Sequence, residues 1–160
     1  MINKEEHWFY QQHKKGITLT EVSMGDFLVT HKIQRADAPS SFMGKIFFDW
    51  DYYKNTCYHF MWYVDDPENS IQKGWQNSAL SNKRFIYLSV MDLGFIQVET
   101  EYFINNWYEF AFYCSEGEQG FSDDGQLFFE YTEPDRAIRS NFEIKPNSKI
   151  IHPPYMSLYR

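Results

Sequence analysis

The side chains from which a catalytic or metal centre could be assembled are five histidines, two cysteines and several paired carboxylates. The histidines are His7, His13, His31, His59 and His152. None falls in an H-E-x-x-H arrangement, and Cys57 and Cys114 form no C-x-x-C pair, so neither motif places two ligands on one helical turn. No cofactor is expected. Cys57 and His59 stand two residues apart, on one face of a strand. An activated thiolate needs an exposed, electropositive setting, however, and a largely apolar stretch of an acidic chain offers neither. Both cysteines are expected to be reduced, buried thiols. Asp49 and Asp51 flank Trp50, Asp65 adjoins Asp66, and Asp123 and Asp124 precede Gly125. Two carboxyls about 5–9.5 Å apart are the glycosidase arrangement. Aspartates in turns also serve simply to accept local backbone N–H bonds. No G-x-G-x-x-G, Walker A or G-x-S-x-G sequence occurs, and only eight glycines are present, which argues against a phosphate-cradling loop. The chain therefore reads as non-enzymatic. The alternative is a carbohydrate-active or lectin-like module using Asp49, Asp51, Trp75 and nearby tyrosines, with Trp75 exposed in a polar loop.

Charge is more informative. The 160 residues carry a formal net charge of −7. Residues 1–84 hold ten Lys/Arg and ten Asp/Glu, and residues 136–160 hold five Lys/Arg and one acid. Residues 85–135 hold eleven acids and no Lys or Arg. A routine solvated surface mixes signs. A one-signed cluster repels itself and attracts opposite charge, which steers association with a basic partner. The candidate contacts are Asp123, Asp124, Glu130, Tyr131, Glu133 and Asp135, with Asp51 and Tyr52 as a second patch. A broad nucleic-acid-binding surface is not expected of such a chain.

These residues must be positioned by a fold. Fifteen Phe, twelve Tyr and five Trp give far more burial than a disordered chain carries, and two cysteines exclude a disulfide scaffold. Residues 3–15 predict a helix, with Asn3 and Glu6 as a capping box and Trp8 and Gln12 on one face. Strands are expected at 17–23, at 26–33, in a hairpin of 45–50 with a central strand 56–64, and at 84–91, 126–132 and 138–145. The last should turn Ile138, Phe142 and Ile144 inward and Arg139 outward. Pro67 marks the possible start of a short helix. Residues 101–114 predict a second helix, from apolar residues at helical spacing, Phe103-Trp107-Phe110-Cys114, with a second stripe Ile104-Tyr108-Phe112; the competing reading is a helix ending near Tyr108 followed by a strand to Cys114. A loop is expected at 117–125. The sum is an α+β single domain, residues 1–160, built on a mostly antiparallel sheet with helices on one face and an extended tail at 146–160.

In composition, and in the segment Glu101-Tyr-Phe-Ile-Asn-Asn-Trp-Tyr-Glu-Phe110, the chain resembles bacterial immunity proteins of contact-dependent and polymorphic toxin systems. The resemblance implies a protein that binds and neutralises a toxin domain, often a basic nuclease. A carboxylate would then fill the partner's phosphate site or cover its cleft. With no secretory leader and no run approaching the ~18 apolar residues of a membrane span, a cytoplasmic location without membrane contact is expected.

Overall fold

The computed structural model describes residues 3–36, 47–61, 66–114, 117–132 and 137–145. The expected tail at 146–160 lies outside them. Among the described residues seven antiparallel strands form one sheet, in the order β1-β4-β3-β5-β6-β7-β2. They are β1 (Ile17–Leu19), β2 (Tyr58–Met61), β3 (Phe85–Val90), β4 (Gly94–Glu99), β5 (Glu118–Ser122), β6 (Phe128–Thr132) and β7 (Ala137–Ser140). The α-helices described with it are α1 (Trp8–His13), α2 (Met24–Thr30), α3 (Pro67–Gln76) and α4 (Thr100–Tyr113). The expected α+β class is the observed one.

Alternation along the strands divides the core in two. Ile86, Leu88 and Val90 of β3 and Ile96 and Val98 of β4 face α1, α3 and α4, which contribute Phe9, Ile71, Trp75, Phe103, Trp107 and Phe110. Phe95, Phe121 and Phe128 point the other way, onto Phe27 and Leu28 of α2 and onto Ile33 and Phe48. The sheet is thus covered on both faces, not by helices on one face only. Two-sided burial is why β3 reads as a near-continuous apolar run.

The N-terminal helix forms in two pieces. Asn3 accepts from the Glu5 N–H and opens a short 3-10 turn, and His7 then caps α1 by accepting from the Phe9 N–H. The strand expected at 26–33 is instead α2. Ser23 caps it through the Asp26 N–H, and its buried residues Phe27 and Leu28 are adjacent. Adjacent inward residues suit a helix edge but not one strand face. Among the described residues the expected 45–50/56–64 hairpin is not formed. Phe48 makes an isolated bridge to Arg35, and β2 pairs with β7 at the sheet edge, so it is not central. Pro67 does open a helix. That helix buries Trp75 against Phe103 and Phe129, so Trp75 is a core residue with no ring free for a sugar.

The expected loop at 117–125 is largely strand β5. Its polar spelling, E-Q-G-F-S, hides two packing devices. Gly120 lies opposite Phe129 in the β5–β6 register, and a Cβ there would meet that ring at 2.1 Å. Glu118 is fully buried, and desolvation pushes its carboxyl up to about 8 even though the Cys114 thiol donates to it. In β7, Phe142 and Ile144 beyond the strand end do turn inward as expected, but Arg139 is buried too, opposite Glu130.

Candidate binding surface

The predicted contact residues divide into three places. Asp123 and Asp124 occupy the β5–β6 turn, both exposed. Asp124 accepts from the Ser122 hydroxyl (2.6 Å), the Gln126 N–H (3.1 Å) and Lys83 Nζ (2.7 Å). Partial desolvation works against this carboxylate, but these donors outweigh it and hold the group at about 2. Gly125 closes the turn at φ 72°, which a side chain would strain, and lies against the His31 ring. Asp51 and Tyr52 are exposed on a second turn, where Tyr52 N–H donates to Asp49 Oδ1 at 3.1 Å and Tyr52 is 66% exposed.

Glu130 and Tyr131 are inside. Tyr131 belongs to the larger core. Glu130 accepts from the Phe47 N–H (3.0 Å) and the Trp50 indole N–H. Desolvation raises its pKa, opposed by those two donors and by the charge of Arg139. In this structure neither residue is presented to a partner; Glu130 pins the 47–50 segment to the sheet. Glu133 and Asp135 lie outside the described residues. The thiol of Cys57 is raised by desolvation, the opposite of what a nucleophile requires. Among the described residues no group of three or more His, Cys, Asp or Glu is placed to hold a metal ion.

The acids of 85–135 that lie among the described residues therefore do not make a single patch. Glu118 and Glu130 are buried. Glu99, Glu101, Asp123 and Asp124 gather at one end of β3, β4 and β5, where Asp123 N–H donates to Phe85 O and Phe85 opposes Glu99. Lys83 and Arg84 stand among them, lining a cavity of about 520 Å³ with Glu99 and Glu101, so this end compensates part of its own charge. Asp92 and Glu109 lie elsewhere, beside α1.

There the chain exposes a surface that sequence reasoning only half located. Trp8 and Gln12 do share a face of α1. Trp8 is 60% exposed, Met91 after β3 is 47% exposed, and Phe112 near the end of α4 is 50% exposed. Together with Gln12, His13, Glu109 and Tyr113 they line a mostly apolar groove of about 490 Å³. Its floor is fixed by stacked rings. Phe9 stacks on Tyr113 with centroids 4.2 Å apart and packs on His13 at 4.6 Å. Tyr113 Oη lies 3.0 Å from His7 Nε2 and 3.4 Å from Asp92 Oδ2, and burial, then the Asp92 charge, pushes the phenol up to about 12. His13 Nδ1 shares a 2.7 Å hydrogen bond with the Tyr102 hydroxyl, whereas its Nε2 is buried without a partner. Desolvation lowers the His13 pKa, with Glu109 opposing and Lys15 assisting. The available signal for this face was the second stripe of α4. One face of a helix suffices to cover a sheet, so Phe112, half exposed and lying against Tyr108 at 4.6 Å, was surplus to the core.

Compared with known proteins, the chain matches no family model and no curated protein. Among the described residues no helix is long and apolar enough to cross a membrane.

Proposed function

We propose that this is a non-catalytic binding protein that neutralises a basic protein partner, in the manner of an immunity protein blocking its cognate toxin domain. The observation that carries this reading is the groove beside α1. Three of the seven large apolar side chains exposed among the described residues, Trp8, Met91 and Phe112, line it. Large exposed apolar groups gathered at one place mark an interaction site, and aromatic residues and Met are the types enriched at the centres of protein interfaces. Asp92 and Glu109 stand at its margin, with their side chains 40% and 48% exposed. An apolar centre with a carboxylate rim suits a partner that presents apolar anchors within a basic surface. The long run without Lys or Arg supports the same sign of partner, and the Asp123–Asp124 turn gives a second acidic approach. A sugar-binding reading loses its principal ring, because Trp75 is buried.

The test is protection. Partners retained by the purified chain at low salt are identified and expressed alone, and growth is scored with and without this chain. A basic partner should be retained and its toxicity relieved. The double substitution Trp8→Ala plus Phe112→Ala should abolish relief while leaving the fold intact. Retention of no basic partner, or undiminished protection by the double variant, would overturn the reading.

A further inference from the structure

The groove beside α1 holds a buried polar atom with no hydrogen-bond partner among the described residues. His13 is 2% exposed and lines the groove, yet its Nε2 makes no hydrogen bond. Buried ring nitrogens are normally satisfied, and one left open needs an explanation. The other nitrogen, Nδ1, is committed to the Tyr102 hydroxyl. Desolvation favours the neutral ring. The Tyr102 bond fits either neutral tautomer; in the one with its proton on Nδ1, Nε2 presents a lone pair, and a donor entering the groove selects that tautomer. Glu109 Oε1 lies 4.0 Å from it and receives the Gln12 amide at 3.0 Å. Gln12 and Glu109 are both exposed, so that bond gives way cheaply to a better donor.

The ligand these groups suit can be read from their chemistry. Two acceptors, a carboxylate and an imidazole nitrogen, call for a group with several N–H donors. The ring walls, Trp8, Phe112 and Tyr113, call for a flat cation or an apolar stem. The groove lining includes one carboxylate and no Lys or Arg, and Asp92 adjoins through Tyr113. A guanidinium meets every condition: it is planar, stacks on aromatic faces, is weakly hydrated and carries five donors. An ammonium is compact and strongly hydrated, and meets fewer.

We propose that this groove receives an arginine side chain of the basic partner, its guanidinium between the Glu109 carboxylate and His13 Nε2 and its stem against Trp8 and Phe112. The inference rests on the binding reading above and names the side chain that anchors it. Burying one arginine in a ring-lined pocket is a common way for an interface to concentrate its affinity.

The probe is N-acetyl-arginine methylamide, titrated into the isotope-labelled full chain, with N-acetyl-lysine methylamide as comparator. The Trp8 indole N–H and the His13 ring signals should move saturably with the arginine compound. The lysine compound should bind more weakly by about threefold or more. Glu109→Gln should weaken arginine binding about tenfold. Trp8→Ala should weaken it too, and both variants should keep the wild-type spectrum away from the groove, since both residues are exposed. No saturable shift at Trp8 and His13, or equal response to lysine, overturns the arginine pocket. If a basic partner is nevertheless retained through Trp8 and Phe112, the docking face survives without it. If arginine binds as described but no basic partner is ever retained, the pocket stands and the neutralising reading falls.

Discussion

Glu118 should make the protein lose stability as pH rises, and replacing it with glutamine should remove that loss. The carboxyl is fully buried at the start of β5, its Oε2 has no hydrogen-bond partner, and desolvation raises it from 4.5 to about 8. Below pH 4.5 both the folded and unfolded chains hold the proton, and the group is neutral to stability. Between 4.5 and about 8 the unfolded chain releases it while the folded chain keeps it, so stability falls through this window and levels off above it. A tenfold change in proton affinity is about 1.4 kcal/mol, so the whole window is worth about 5 kcal/mol. That is a large fraction of the 5–15 kcal/mol typical of a domain, roughly a third or more. Glu118→Gln keeps the shape and removes the titration. Urea unfolding of both proteins at half-unit steps from pH 4.5 to 8.5 gives the difference directly. Glu130 is also raised by burial and His13 is lowered, but both are present in both proteins and cancel in the comparison. The two stabilities should coincide near pH 4.5 and diverge in favour of the variant by about 5 kcal/mol near pH 8. Parallel curves would show that the carboxyl is not held neutral inside the fold, and the account of β5 as a strand over a buried acid would fail with them.

Three further substitutions examine the parts that hold the surface in place. Gly120→Ala should destabilise by about 2–3 kcal/mol, because the new methyl meets the Phe129 ring, itself held in the core; thermal unfolding measures it. Glu130→Ala should cost about 3–5 kcal/mol, since it strips the partner from the Phe47 N–H and the Trp50 indole and leaves the buried Arg139 charge less compensated; loss of near-ultraviolet aromatic dichroism from Trp50 should accompany it. Asp124→Asn should cost about 1 kcal/mol at pH 7, a value discounted for the exposure of this ion pair. Its carboxylate is held low, at about 2, so the stability it supplies is present above pH 3.8 and is lost as pH falls toward 2; the variant should lack that acid limb in a pH series of unfolding curves.

The elements legible in the sequence are those whose pattern serves one neighbour at a time. α4 shows its stripe because Phe103, Trp107 and Phe110 all meet the same sheet face, and β3 shows a near-continuous apolar run because both its faces are covered. Pro67 announces α3 by its fixed φ. The readings that failed are those where one side chain's chemistry depends on a distant one. Glu118 and Glu130 count as surface charge in any tally of residues 85–135, yet the first is sealed beside Cys114 and the second lies beneath Trp50, eighty residues earlier in the chain. An acidic segment that supplies internal clamps as well as surface cannot be weighed as surface. The same dependence hid the groove beside α1. Trp8, Met91 and Phe112 come from three elements, and each alone is an unremarkable exposed apolar residue. Only the antiparallel pairing of β3 with β4, with α4 following β4 directly, returns the end of α4 to α1 and to the turn that carries Met91 and Asp92. Charge counting gives the sign of a segment, and the fold decides which few of those charges stand at the surface beside exposed rings.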